Sequence, residues 1–425
     1  MFIVNPFHRR ESSVRSYCLS FPAVFDKAKD AFLYDTDGKR YIDFFCGAGT
    51  MNYGHNNEVM KRAILDYIEQ DGIVHGLDMM TAAKFHFLER FESVILEPRR
   101  LDYKMQFVAP SGANAVEAAL KLARMVTKRS NVIAFTNAYH GLSAGALSVT
   151  GNAFYRNEAF INRLNVSFMP FDGYFGGEVN TIEYLRKFLD DDGSGLDLPA
   201  AVILETIQAE GGVRIAGETW LRDLEMLCRE YRILMIVDDI QVGNGRAGSF
   251  FSFERAGIHP DMVAFSKAVS GFGLPMSLLF LKPELDQWKP GEHTGTFRGD
   301  NLAFVAATEA LRYWETEAFA ESIRHKSRIL EERLWDFQER YTDLNPQVRG
   351  RGMIYGLEIS DPALTQAIAR EAFQRGLLIE LCGAKHNVLK FLPPLVIEDS
   401  VLEEGLEILD QSIQAVMKGI LCLEK

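Results

Sequence analysis

The chain has 425 residues, 47% of them hydrophobic and 24% charged, with a net charge of −12. Such a length exceeds one ordinary domain and suits one large and one smaller unit. The acidic balance argues against nucleic acid or an anionic membrane as partner, and no apolar run reaches the length of a membrane span.

The opening MFIVNPFHRR puts its apolar residues before its basic pair, the reverse of a secretory signal, so a cytoplasmic location is expected. Cys18, Cys46, Cys228, Cys382 and Cys422 are scattered, odd in number and free of CxxC spacing. They read as reduced thiols. No HExxH or similar pair exists, so no metal is expected.

From Arg15 to Tyr53 the chain reads as short strands, with Asp37-Gly38 as a hairpin turn between Phe32-Leu33-Tyr34 and Tyr41–Phe45. Cys46-Gly47-Ala48-Gly49 is either a tight loop or a place where backbone approaches something closely. Asn57 to Gln70 has the periodicity of an amphipathic helix. Lys104–Ala109 reads as a strand, followed by Ser111-Gly112 and a helix from Ala113 to Thr127. A strand, a Ser-Gly turn and a helix make an anion site, although Ser111 also reads as a plain N-cap.

After the strand Val132–Phe135 comes Tyr139-His140-Gly141, where Tyr139 is either a stacking ring for a flat ligand or a core aromatic. Ala200–Leu204 ends in Glu205, with Glu210 five residues on; these are orienting acids or solvated loop charges. The strand runs Ile233–Val237 and Met262–Phe265 end in Asp238-Asp239 and Ser266-Lys267. In an open α/β sheet ligands bind beyond the carboxyl ends of strands. An acid and a lysine on that rim suit pyridoxal 5′-phosphate, which needs an amine for its Schiff base and a carboxylate for its pyridinium nitrogen. A surface salt bridge is the alternative. Strand and helix patterns alternate from about Lys104 to Phe280, which predicts a doubly wound, mostly parallel sheet. His293–Gly299 is a polar loop before a long helix from about Asn301. A helical stretch to Tyr341, a strand over Val348–Glu358, a helix over Pro362–Arg375, strands at Leu377–Leu381 and Val388–Leu392, and a helix from Glu398 to Met417 form a smaller α+β unit.

Taken together and in order, these segments resemble the class III aminotransferases of fold type I, which depend on pyridoxal phosphate and include ornithine, acetylornithine and GABA aminotransferases. The resemblance covers nearly the whole chain. It implies an α/β fold with a mostly parallel, doubly wound sheet, residues 61–318 being the large cofactor domain and 319–425 the small α+β domain, to which the N-terminal segment 1–60 also belongs. It implies a homodimer or dimer of dimers with active sites at the subunit interface. By the same resemblance Lys267 would carry the cofactor and Asp238 would pair with its pyridine nitrogen. Gln241 would meet the ring hydroxyl, Gly112 and Ala113 the phosphate, and Tyr139 the ring face. Thr296 would reach the neighbouring subunit's phosphate. Glu205 and Glu210 match acids near the cofactor, Glu210 being one that often screens a substrate-binding arginine. Segments such as RSYCLSFPAVFDKAK, IVDDIQVGNGR and LDQWKPGEHTGTFRGDN resemble the branch that aminates L-aspartate 4-semialdehyde from L-glutamate in ectoine synthesis. An ω-aminotransferase of another type and an aminomutase are the alternatives. Two departures stand out: Ala113 replaces a hydroxyl residue, and Lys390 replaces an arginine that binds a substrate carboxylate. Cys382-Gly383-Ala384-Lys385 also differs from the branch.

Overall fold

A computed structural model of the chain describes residues 6–156 and 165–423. Residues 1–5 of the leader reading and the side chain of Cys422 lie outside that description. Among the described residues no helix is long and apolar enough to cross a membrane.

The centre is a seven-stranded sheet in the order Lys104–Phe107, Leu278–Leu281, Met262–Phe265, Leu234–Asp238, Ala201–Leu204, Val132–Phe135, Val166–Met169. Pairings are parallel except around Leu278–Leu281, which runs against both neighbours. The middle strands are continuous apolar runs, buried at every position from Val132 to Phe135 and from Ala201 to Leu204. Sheets covered by helices on both faces need such runs. Because the parallel strands share one direction, Ser111, Tyr139, Glu205, Asp238 and Lys267 all follow carboxyl ends at one edge.

Two four-stranded sheets flank this one. The first joins Phe25–Lys29, Phe32–Asp35 and Arg40–Asp43 to Leu377–Leu378, which pairs in parallel with Arg40–Asp43. The second has the order Gln347–Arg351, Ile354–Glu358, Val388–Phe391, Glu380–Cys382. Here the structure corrects two expectations. Val348–Glu358 is a hairpin, because Gly352 turns the chain at φ +64° where a Cβ would meet backbone atoms of Arg246, Ala247 and Gly248 at 2.5 Å. Leu377–Leu381 is not one strand but two short ones in different sheets, with buried Ile379 at the crossing. The helix from Asn301 also stops early, at Ala310, before a single turn over Leu311–Trp314 and a new helix, Ala318–Arg340.

Arg246 ties these regions together. It is fully buried. Its Nη1 donates to the carbonyls of Met353 (2.9 Å) and Pro393 (2.5 Å), and its Nη2 donates to Asn52 Oδ1 (2.6 Å). A guanidinium has enough fixed donors to serve acceptors from three distant parts of the chain at once. Arg246→Met is expected to destabilise the protein by about 2–5 kcal/mol, since it leaves buried acceptors unpaired. The midpoint of urea unfolding checks this, and an unchanged midpoint would remove Arg246 from that role.

Candidate active site

The sheet edge opens into a cavity of about 310 Å³. Gly112, Ala113, Tyr139, Glu205, Glu210, Asp238, Gln241 and Lys267 line it together with His140, Leu142 and Ile240. Lys390 stands behind Glu210. Thr296 is not on this wall; it is exposed on the loop beside Phe297, which is 68% exposed.

One end of the cavity is the start of the helix Gly112–Thr127. Ser111 is its N-cap and accepts from the Asn114 N–H at 3.4 Å. The first N–H groups of a helix have no intrahelical acceptor and carry its positive dipole end. Gly112 lets Ile240 pack closely there: a Cβ would meet Ile240 Cδ1 at 2.8 Å, and that side chain would have to shift. The crevice keeps backbone N–H groups open to an anion.

In the middle, Asp238 is 4% exposed. Its Oδ1 accepts from the Ile240 N–H at 3.1 Å, and its Oδ2 lies 2.7 Å from His140 Nδ1. The His140 backbone N–H donates to Thr150 Oγ1 at 3.0 Å, which fixes the ring's place. His140 Nε2 is buried without a hydrogen-bond partner among the described residues. The sequence reading singled out Tyr139 and passed over this histidine; its position next to a strand-end aromatic was the available signal. Glu205 accepts from the N–H groups of Tyr139 (3.0 Å) and Ala209 (3.3 Å). Burial, with the Asp238 charge beside it, holds the Glu205 carboxyl well above its usual range. Both Glu205 and Glu210 are therefore walls of the cavity, not solvated loop charges.

At the other end, Lys267 opens a short turn with φ 52°, a strained value for a residue with a side chain. Its Nζ donates to the carbonyl of Ala48 at 2.9 Å. Gln241 Nε2 donates to the same carbonyl at 2.8 Å and to Glu210 Oε1 at 3.2 Å. That carbonyl is aimed inward by four successive positive φ angles, 56°, 55°, 55° and 85°, over Cys46 to Gly49. Asp43 anchors the turn by accepting from the N–H groups of Phe45 and Cys46. Burial lowers the Lys267 pKa, with Glu210 opposing, so the amine form is more accessible than on a free lysine.

Asp239 faces away from the cavity. It is fully buried, its Oδ2 accepts from the Ser252 N–H at 2.9 Å, and its Oδ1 has no hydrogen-bond partner among the described residues. Burial pushes it up to about 7. The folded value lies above the unfolded one, so between about 4 and 7 unfolding releases a proton, and stability falls as pH rises through that window. Asp239→Asn is expected to abolish this slope, worth about 3–4 kcal/mol across the window. Urea midpoints from pH 4 to 8 would show it; an equal slope in both proteins would exclude Asp239 as its source.

These residues fit pyridoxal phosphate: an anion crevice at a helix start, a buried carboxylate held by a histidine, and an amine with a lowered pKa around a cavity of ligand size. The chain belongs to the class-III aminotransferases, whose family pattern matches residues 15–413. It is therefore a pyridoxal phosphate-dependent transaminase of fold type I. Among its relatives, the diaminobutyrate–2-oxoglutarate transaminase of Wolinella succinogenes is 60% identical, over 97% of this chain and 96% of that protein. The enzyme of the same name from Bordetella parapertussis is 55% identical, over 96% of this chain and 94% of that protein. Among solved structures, the ornithine aminotransferase of Toxoplasma gondii ME49 is similar with a TM-score of 0.83 and 25% identity, covering 97% of this chain and 94% of that one. An S-selective transaminase from Bacillus megaterium has a TM-score of 0.86 at 22% identity, covering 98% of each chain.

Proposed function

We propose that the chain transfers the amino group of L-glutamate to the aldehyde carbon of L-aspartate 4-semialdehyde, giving 2-oxoglutarate and L-2,4-diaminobutyrate. The observation that carries this reading is the 60% identity, over nearly the full length of both chains, to a transaminase of that name. Ectoine synthesis as the pathway, and the cytoplasm as the place, belong to the same proposal.

Bound pyridoxal phosphate supplies an electron sink for the bond to the substrate's reacting carbon. Lys267 Nζ holds the cofactor, and then takes and returns the proton at the reacting carbon. Asp238, steadied by His140, supplies the negative charge that keeps the pyridine nitrogen protonated. The N–H groups of Gly112 and Ala113 bind the phosphate. Ala113 has no hydroxyl to add, so the backbone carries that task. Tyr139 would cover the ring and Gln241 would meet its hydroxyl, both from the cavity wall, while Glu205 orients the backbone of Tyr139 and Ala209.

Thr296 belongs to the same phosphate site in a partner subunit, and the chain works as a homodimer or larger. The support is a patch of exposed apolar side chains beside that loop. Val74, Leu77, Met79, Met80 and Phe297 are all at least 42% exposed, and His75 contacts the Phe297 ring. Such patches mark association surfaces. The divisions near residues 60 and 318 belong to the same proposal; their support is that both four-stranded small sheets are built from residues outside 61–318.

The test is the visible spectrum of the holoprotein while L-glutamate and then L-aspartate 4-semialdehyde are added. The cofactor band is expected to bleach with the first and return with the second. A band that glutamate leaves untouched would reject glutamate as donor and favour an aminomutase or another amine.

A further inference from the structure

Asp43 ends the strand Arg40–Asp43 and is 1% exposed. Both of its carboxylate oxygens are engaged inside the chain. Oδ1 accepts from the N–H groups of Phe45 (2.9 Å) and Cys46 (2.7 Å), and Oδ2 lies 2.7 Å from His55 Nε2. A carboxylate accepts and does not donate, so Nε2 is the donor of this pair. His55 is itself fixed by its backbone. Its N–H donates to the Asp30 carbonyl and its carbonyl accepts from the Asp30 N–H, both at 2.8 Å. The imidazole is therefore a strut. It holds Asp43 in the orientation that reaches the two N–H groups opening the turn at Cys46–Gly49.

That turn is unfavourable in itself. All four of its residues have φ between 55° and 85°, and Cys46 and Ala48 carry a Cβ in a region that disfavours one. Backbone kept in such a state is over-determined by its surroundings, and it concentrates at working sites. The carbonyls of the turn divide their tasks. That of Cys46 accepts from the N–H groups of Thr50 (2.9 Å) and Met51 (3.0 Å), and that of Gly47 accepts from Thr50 at 3.3 Å. That of Ala48 takes two side chains from the cavity wall instead, Lys267 and Gln241. A free amine with one N–H pinned can rotate only about that bond, so its lone pair sweeps a narrow cone. Gln241 holds the same oxygen from beside the lysine, and keeps it in place when the amine moves.

We propose that Asp43 and His55 are positioning residues for proton transfer: the pair locks the turn at Cys46–Gly49, and the Ala48 carbonyl of that turn aims the Lys267 amine whenever it is not bonded to the cofactor. This rests on the proton-transfer role given to Lys267 above. Neither Asp43 nor His55 touches the cavity; both act through one backbone oxygen. Misaiming a proton carrier costs rate without costing substrate affinity, because binding does not use the lone pair.

The first readout uses apoprotein. A pulse of acetic anhydride labels its amines, and peptide mass spectrometry compares Lys267 with the exposed Lys27. In His55→Leu the turn loses its strut, and Lys267 is expected to be acetylated roughly 3- to 10-fold faster than in the parent, the effect of freeing one hydrogen bond. The second readout uses holoprotein and L-glutamate with hydrogen or deuterium at the α-carbon. Here kcat is expected to fall roughly 10-fold with KM held within about twofold, and the isotope effect to rise, since proton movement and not binding is impaired. His55→Gln keeps a donor for Asp43 and should return both readouts toward the parent. Gly49→Ala disturbs the turn from its other end, where the new Cβ would meet Gln241 Cγ at 3.3 Å, and should reproduce both changes with Asp43 and His55 intact. A His55→Leu protein less stable to urea, yet with parental acetylation and isotope effect, would make the pair purely structural and overturn the proposal. If His55→Leu does not fold, the same parental values in Gly49→Ala overturn it. A parent protein that does not react with glutamate would reject glutamate as donor, and the acetylation ratio would still decide the role of the pair.

Discussion

Lys267→Ala is expected to lower transamination by at least about 10³-fold, the range lost with a general acid–base group. The physical basis is local. Lys267 Nζ lies in the cavity, donates to the Ala48 carbonyl, and has a pKa lowered by burial. Lys390, the other ammonium in contact with this wall, is held between Glu210 and Glu380 and cannot substitute. Alanine also relieves no clash, since the strained φ of 52° stays. Secondary structure by circular dichroism should match the parent, while single-turnover decay of the cofactor band should nearly vanish. Retention of a tenth of the parental rate would remove Lys267 from the proton-transfer role.

Asp238→Asn should cost turnover about 10²-fold or more, again within the general acid–base range. The change keeps size and removes the charge facing the cavity. It also disturbs the pair with His140, because an amide must present its oxygen to the His140 Nδ1–H and its NH₂ to the other side. Two effects are thus removed together, charge and orientation, and His140→Phe separates them. That variant keeps the Asp238 charge and loses only its anchor, so its loss should be smaller, and it should change the pH at which the cofactor band titrates. If Asp238→Asn retained full activity, the buried carboxylate would need another explanation.

The sheet and its working edge were legible because the strand runs are uniformly apolar and end abruptly in polar residues. Val237 followed by Asp238, and Phe265 followed by Ser266-Lys267, place chemistry at strand ends without any structure in hand. The cross-strand register was not legible. Nothing local says that Glu380 faces Lys390, although a charge inside Leu377–Cys382 is a local anomaly of the kind that deserves a partner. The Ala48 carbonyl was equally hidden, since a backbone atom leaves no trace in residue type; only the small residues at Cys46–Gly49 hinted at a close approach. The hairpin over Gln347–Arg351 and Ile354–Glu358 was read as one strand because a single glycine turn, at Gly352, leaves the apolar pattern nearly unbroken.

The parallel pairing of Arg40–Asp43 with Leu377–Leu378 has a consequence for synthesis. Ile42 must wait for Leu377, its register partner, which is 335 positions later (377 − 42). At ordinary elongation rates that interval is about 15 to 70 s. Throughout it the first sheet to emerge from the ribosome carries an unpaired edge, the kind of surface that recruits other nascent chains. Arg40 and Lys39 at that edge, charged and exposed, are the side chains that discourage such pairing until about the last eighth of the polypeptide arrives to cover it.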